Sequence, residues 1–141
     1  MVVDASLALK WSLPESHSTE AGEILLDWRS RNVELLAPVL FIYEIASALA
    51  KRVRFSELSL EQALTRFEFL SASGVRLSRI EAHHFRALEL AARFRLTAAY
   101  DEHYLALAES HQCECWTADE RLWNSVKGEL DWVRWIGERA R

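Results

Sequence analysis

The sequence predicts an α/β fold in three layers, α/β/α, around a central parallel sheet of four to five strands. Short apolar segments alternate with longer amphipathic ones along the chain, as expected when crossover helices connect parallel strands. Half of the 141 residues are apolar, which is enough for one continuous core. No repeat, low-complexity tract or Pro/Gly/Ser-rich linker divides the chain, so we expect a single domain over residues 1–141.

The first half of the chain opens on a strand, passes through two helices and reaches a second strand. Pro14 ends the first of these helices, because proline lacks the N–H that a helix interior requires. Ser18 or Thr19 is available as the N-cap of the second helix. In order, the segments are "MVVD", "SLALKWSL", "STEAGEILLDWRSR" and "VELLAP".

The second half is mostly helical, with three further short strands. Gly74 follows the second of its helices and is the type of residue that stops a helix. The segments are the helices "VLFIYEIASALAKRV" and "SLEQALTRFEFLSAS", the strand "VRLS", the helix "RIEAHHFRALELAARFR", a short helix carrying Asp101, the strand "CECWT", the helix "DERLWNSVKG" and the strand "DWVRWIG".

Two classes of protein are disfavoured by composition. The chain has no apolar run of the ~20 residues that cross a bilayer, and Met1 leads into "VVDAS" without a basic region or a long apolar signal core, so we expect a cytoplasmic protein. Cys113 and Cys115 are too few to build a structural zinc site. We expect them to be small apolar side chains in a reducing compartment.

The net charge of −4 argues against a surface that binds phosphate over its whole area. Two local basic groups, "KRVR" at 51–54 and "RLSR" at 76–79, could still hold a nucleic-acid backbone. Taken alone, each of these groups is equally well explained as a solvated helix end.

Asp101 is unusual because it lies on the apolar side of a half-buried helix. Leu105 and Ala108 follow it at one and two helical turns on the same face, whereas Glu102 and Glu109 share a different face that we expect to be wetted. A carboxylate on the core side of a helix must be stabilised by a partner.

Four acids map to the carboxyl edge of the predicted sheet, where active groups collect in open parallel sheets. They are Asp4 and Asp119 at strand ends, Asp101 at the start of a short helix, and Glu44 inside a helix. Each aspartate could simply cap a helix, or it could be a first-turn acid that the helix dipole favours. Glu44 has no such explanation, because it lies mid-helix in an uncharged run and burying an unpaired carboxylate is costly.

Together the four acids imply a bound cation. Two carboxylates ~5 Å apart at an effective dielectric of ~20 repel by about 3 kcal/mol, so a cluster must either retain protons or bind a divalent metal. All-oxygen ligands suit Mg²⁺ or Mn²⁺, which activate water and stabilise the oxygens of a phosphodiester under attack. Ser6 and Thr117 lie two residues from Asp4 and Asp119 and are placed to support the ligands, or they are ordinary turn hydroxyls.

Four stretches in this order resemble the PIN-domain ribonucleases and, within them, the VapC-type toxins of type II toxin–antitoxin systems. They are "VVDASLALKW", "YEIASAL", "LTAAYDEHYLALAE" and "WTADERLWN". The resemblance spans nearly the whole chain. It implies a PIN-like domain with an Mg²⁺- or Mn²⁺-dependent endoribonuclease activity in which Asp4, Glu44, Asp101 and Asp119 are the catalytic acids and metal ligands.

The same resemblance implies partners. They are an RNA substrate, a small cognate antitoxin of the VapB type, and a second copy of the chain in a homodimer, with no membrane involved. The antitoxin would lie in an apolar groove, for which Trp11, Leu13, Trp28 and Leu36 are the candidate lining residues.

Other functions remain open or are disfavoured. A non-catalytic PIN-like module that binds RNA or protein is the main alternative. Receiver domains and dehalogenase-type phosphatases want paired acids after the first strand, where this chain has "DAS". Zinc hydrolysis is disfavoured because the five histidines lack His-Glu-x-x-His spacing and are predicted to scatter over exposed helix faces.

Overall fold

A computed structural model describes residues 1–79, 81–95 and 99–138. Its centre is a sheet of five strands that are all parallel, in the order β3-β2-β1-β4-β5. The predicted α/β class with a parallel sheet is therefore confirmed, at the upper end of the predicted strand number. The strands are β1 (Val2–Val3), β2 (Leu35–Pro38), β3 (Val75–Ser78), β4 (Cys115–Thr117) and β5 (Val133–Trp135).

Helices flank the sheet and supply the crossovers between its parallel strands. They are α1 (Ala5–Leu9), α2 (Ser18–Ser30), α3 (Leu40–Arg54), α4 (Leu60–Ser71), α5 (Ala82–Phe94), α6 (Glu102–Ser110) and α7 (Glu120–Val126), with a 3₁₀ turn over Ile136–Glu138 after β5. Among the described residues, none of these helices has the length and apolar character needed to cross a membrane.

The order of the strands places β1 at the centre of the sheet. Val2 pairs with Leu36 of β2 on one side and with Cys115 of β4 on the other, and both residues of β1 are fully buried. The chain runs outward from β1 through β2 and β3, then returns to build β4 and β5 on the opposite side. The order in which the strands are added therefore reverses between β1 and β4. Open α/β sheets form their binding crevice at such a reversal point.

Two helix boundaries differ in detail from the sequence prediction, and a third agrees with it. Helix α1 gives way after Leu9 to tighter turns, in which Lys10 N–H bonds to the Leu7 carbonyl at 3.1 Å, so it ends before Pro14. Ser18 is not a cap, because its hydroxyl bonds the loop before α2, donating to the Leu13 carbonyl at 2.7 Å. Gly74 follows α4 with φ +93°, a left-handed conformation that glycine adopts without strain.

The prediction that four apolar residues line a groove is wrong, because most of them belong to the core. Leu13, Trp28 and Leu36 are at most 5% exposed, and Trp28 packs edge-on against Trp116 at 5.7 Å between ring centroids. Trp11 is partly buried against the same core. The sequence could not separate a groove from a core here, since both require large apolar side chains on one face.

Candidate active site

Asp4 is buried at the point where the central strand ends. Its Oδ1 accepts hydrogen bonds from the Leu7 N–H at 3.0 Å and the Ser6 hydroxyl at 2.6 Å, and its Oδ2 accepts from the Thr117 hydroxyl at 2.5 Å. Burial raises the pKa of Asp4 to about 6, although the three hydrogen bonds act to lower it. Asp4 therefore caps α1, as the simpler interpretation predicted, but in a dry setting that favours its protonated form.

Ser6 and Thr117 join the ends of β1 and β4 around this carboxylate. Besides donating to Asp4, the Ser6 hydroxyl accepts from the Ala118 N–H and the Thr117 hydroxyl accepts from the Asp119 N–H, each at 2.9 Å. Each hydroxyl proton is thus committed to Asp4, and the 3.3 Å contact between the two hydroxyls has no proton left to share. The network fixes the orientation of Asp4.

Glu44 reaches the same edge of the sheet from the middle of α3. The hydroxyl of Tyr104, on α6, donates to Glu44 Oε2. Burial raises the pKa of Glu44 to about 7; the Tyr104 hydrogen bond lowers it, and the charges of Asp4 and Asp101 raise it further. The same burial, together with the charge of Glu44, raises the pKa of Tyr104, so the phenol stays a donor.

Asp101 directly precedes α6 without capping it. Its backbone is in the helical region and, among the described residues, its side chain accepts no hydrogen bond from the first turn. Burial and the charge of Asp119 raise its pKa, and Arg121 lowers it. The simple cap interpretation therefore fails for Asp101, whose half-buried carboxylate is left in the field of other acids.

Asp119 differs from the other three acids because it is already well stabilised. Its Oδ1 accepts from the N–H groups of Arg121 at 2.8 Å and Leu122 at 3.3 Å, and the Arg121 guanidinium lies 3.2 Å from its Oδ2. Burial would raise the pKa of Asp119, but these bonds outweigh burial and lower it. Asp119 is a helix cap whose charge also raises the pKa of Asp101.

Glu102 is a further buried acid that the sequence analysis placed wrongly. It was predicted to lie on a wetted face, yet it is 1% exposed, and its Oε2 has no hydrogen-bond partner in the described part of the chain. Burial and the charge of Asp101 raise its pKa. The unbroken apolar run Tyr104–Ala108 was the available signal, because a helix that is apolar all round is buried all round.

The donor chemistry of this edge fits a hard divalent cation. Carboxylates from four separate segments perturb one another, and an orphaned carboxylate oxygen lies buried beside them. Oxygen ligands of this kind are those that Mg²⁺ and Mn²⁺ prefer. Within residues 1–79, 81–95 and 99–138, however, no three His, Cys, Asp or Glu side chains converge closely enough to hold one ion as they stand.

Two arginines from the basic groups of the sequence pair with acids, and a third lines a cleft. Arg52 pairs with Glu15 and Glu57, and Arg76 pairs with Glu34 at 2.9 Å. These arginines are therefore committed to neighbouring acids on the surface. Arg79, at the end of the second group, instead lines a cleft at the carboxyl ends of β2 and β3.

Three of the five histidines also line this cleft, so they are gathered and not scattered as predicted; His84 is exposed as expected, whereas His83 is buried and His103 is partly buried. His83 is buried at the start of α5, and the neighbouring His84 contacts His103 of α6 with 2.8 Å between Nδ1 and Nε2. The sequence hid this pairing because the two histidines are 19 residues apart on different helices.

Comparison with known protein families gives a match. The family described as the PIN domain matches residues 1–128, which include all four acids and both supporting hydroxyl residues. No curated protein matches the chain at a significant level.

Proposed function

Since this chain belongs to the PIN-domain family, whose members are generally nucleases, we propose that it is an endoribonuclease that requires Mg²⁺ or Mn²⁺. The observation that carries the proposal is the electrostatic coupling among Asp4, Glu44, Asp101 and Asp119 at the switch point of the sheet. The pKa values of three of them, Asp4, Glu44 and Asp101, are raised, and such acids gathered in one place are typical of catalytic and metal-binding sites.

The metal would be held by Asp4, Glu44 and Asp101, with Asp119 completing the set. A bound divalent cation supplies a more acidic water and positive charge beside the phosphodiester oxygens. The protein supplies the orientation: Ser6 and Thr117 fix Asp4, and the backbone N–H groups of α7 fix Asp119.

Tyr104 has a distinct task in this arrangement. Its hydroxyl donates to Glu44, and its raised pKa keeps the proton on the phenol. One oxygen of Glu44 is thereby held, and the other remains for a ligand or a water. The phenol thus orients Glu44 without neutralising its charge.

The activity is tested by incubating the purified protein with unstructured RNA, with Mg²⁺, with Mn²⁺ and with EDTA. We expect internal cleavage that is at least about 10²-fold faster with either metal, because in this mechanism the metal makes the attacking water more acidic and stabilises the charge on the phosphodiester oxygens. Gel analysis of end-labelled RNA measures the rate. Cleavage that is undiminished in EDTA would rule out the metal mechanism.

A non-catalytic PIN-like module is the second candidate. Two observations favour it. Within the described ranges, no three His, Cys, Asp or Glu side chains converge closely enough to hold a metal ion, and Asp119 is paired with Arg121. In that case the protein would bind RNA or a protein partner and leave RNA intact with every metal. The same assay, run beside a binding measurement, separates the two functions.

At a finer level, we propose that the nuclease is the toxin of a toxin–antitoxin pair, and that it works as a homodimer beside a small VapB-like antitoxin. The support is the family membership together with the four ordered motifs around the acids. A dimer is checked by light scattering, and the antitoxin by a short reading frame next to the gene.

Expression of the chain alone should arrest bacterial growth, and Asp4→Asn should restore it, because the arrest requires RNA cleavage. Growth curves after induction measure the effect, with protein levels matched by immunoblot. Harmless expression of a parent protein that is active on RNA would contradict the toxin role and leave the nuclease proposal standing.

A further inference from the structure

The structure holds a cleft of about 640 Å³ at the carboxyl ends of β2 and β3, the same edge of the parallel sheet at which Asp4 and Asp119 follow β1 and β4. Tyr43 lines it from α3 and Tyr100 from the segment before α6, and each directly precedes an acid of the candidate site, Glu44 and Asp101. The cleft and the acids therefore share one edge of the sheet, and two residues of the cleft are sequence neighbours of acids.

We infer that this cleft is the subsite that binds bases of single-stranded RNA next to the bond that is cut, with Tyr43 and Tyr100 as stacking platforms and Arg79 as a phosphate contact. The inference rests on the proposed ribonuclease function, and it adds the residues that select the form of the RNA.

The exposure of the two tyrosines is the first argument. Tyr43 is 66% exposed and Tyr100 is 63% exposed, although both border a concave surface where burial would have been available. Aromatic rings left open in a cleft suit unstacked bases, which offer a π-face whatever their sequence. Duplex RNA keeps its bases stacked inside and cannot use such rings.

The charge of the cleft is the second argument. Arg79 is exposed and forms no ion pair with any described residue, so its guanidinium is available to a phosphate. Glu81 also lines the cleft and offsets this charge. A duplex held by its backbone would need several cations here, whereas stacking with one phosphate contact needs one.

The histidine pair is the third argument, because it presents a fixed acceptor. His103 Nδ1 lies 2.5 Å from the Ala99 carbonyl, which can only accept, so this nitrogen carries the proton. In the neutral pair, Nε2 of His103 therefore accepts from Nδ1–H of His84. Nε2 of His84 is then an unprotonated acceptor on a residue that lines the same cleft as the tyrosines, and it suits a base N–H.

The inference is tested by fluorescence anisotropy in EDTA, with the full chain and a labelled single-stranded RNA of about 12 nucleotides, a length within typical single-strand site sizes. We expect Tyr43→Ala and Tyr100→Ala each to raise the Kd by about 5- to 100-fold, the loss of one stacked base. Tyr43→Phe and Tyr100→Phe should bind like the parent, because phenylalanine retains the ring.

Two further variants sharpen the measurement. Phe55→Ala removes a 60% exposed ring that is not among the residues lining the cleft and should leave the Kd unchanged. Arg79→Ala should reduce the slope of log K against log salt by about 0.7, the value for one phosphate of a single strand. Far-ultraviolet circular dichroism confirms that each variant is folded.

Unchanged Kd values for both alanine variants would overturn the subsite, even if the parent cleaves RNA with Mg²⁺. Equal affinity for a matched RNA duplex, with no effect of the tyrosines, would overturn it as well. Failure of the nuclease proposal shows separately, as an absence of cleavage by the parent with either metal.

Discussion

Replacing Asp101 by asparagine is expected to lower the rate of RNA cleavage at saturating Mg²⁺ by about 10³-fold or more, while the fold is retained. Asp101 is the acid least explained by local structure, since it caps nothing and is half-buried opposite Asp119. The role that the structure suggests for its charge is to hold a cation. Asparagine keeps the shape of the side chain and removes that charge.

The matched control is Asp27→Asn, the same chemical change on the exposed face of α2. Asp27 pairs with Arg31 one turn later at 2.7 Å, a surface pair whose loss costs about 1 kcal/mol at most. This variant should cleave like the parent and, if purified in the same way, also controls for contaminating ribonuclease. Near-parental cleavage by Asp101→Asn would remove the acid from the mechanism.

The metal-free protein is expected to lose stability as pH rises from about 4 to about 7, in contrast to the usual behaviour of paired carboxylates. The folded pKa of Asp4 is raised from 3.8 to about 6 and that of Glu44 from 4.5 to about 7. The folded state therefore binds more protons than the unfolded state across this window, so the free energy of unfolding falls as pH rises. Above about pH 7 the full cost of the two buried charges is present.

The magnitude can be isolated with Glu44→Gln. A shift of one pKa unit corresponds to about 1.4 kcal/mol, but Glu44 is only half-buried, so solvent screens part of the effect. We expect the variant to exceed the parent in stability by about 1–2 kcal/mol at pH 8 and by almost nothing at pH 4. Urea unfolding in EDTA at both pH values measures the difference.

With Mg²⁺ at pH 8 the parent should be more stable than Glu44→Gln, because a cation that binds only the folded parent raises its stability by mass action. Glu23→Gln, an exposed glutamate on α2, is the control and should show neither effect. A Glu44→Gln variant that follows the parent at every pH, with and without metal, would contradict the assignment of Glu44 to the acid cluster.

Several parts of the fold were predictable because they depend on local pattern. The short apolar runs became strands, and the long amphipathic runs became helices with ends close to those expected, since burial of one face imposes the periodicity of the element. Glu44 could be singled out because a lone charge in an apolar helix has few explanations. Asp4 and Asp119 were ambiguous, and each proved to be a helix cap within the acid cluster.

Other features escaped the sequence because they depend on which surfaces meet. Trp28 and Leu36 were assigned to a groove but lie in the core, and Glu102 was assigned to water but is buried. The pairing of His84 with His103 joins two helices whose separation in sequence gives no signal. In each case the side chain is compatible with both environments, and only its neighbours decide between them.

The sequence by itself determined the α/β class and the parallel sheet, and it singled out as candidates three aspartates at strand and helix ends and one glutamate inside a helix, because strand-to-helix alternation and mid-helix charge are local properties. Only the tertiary structure decided that Asp4 is held by Ser6 and Thr117, that Tyr104 donates to Glu44, and that a cleft with two open tyrosines lies at the same edge of the sheet. The physical reason is that hydrogen bonds, desolvation and concave surfaces arise between segments far apart in the chain, and their geometry is fixed by the packing of the whole core.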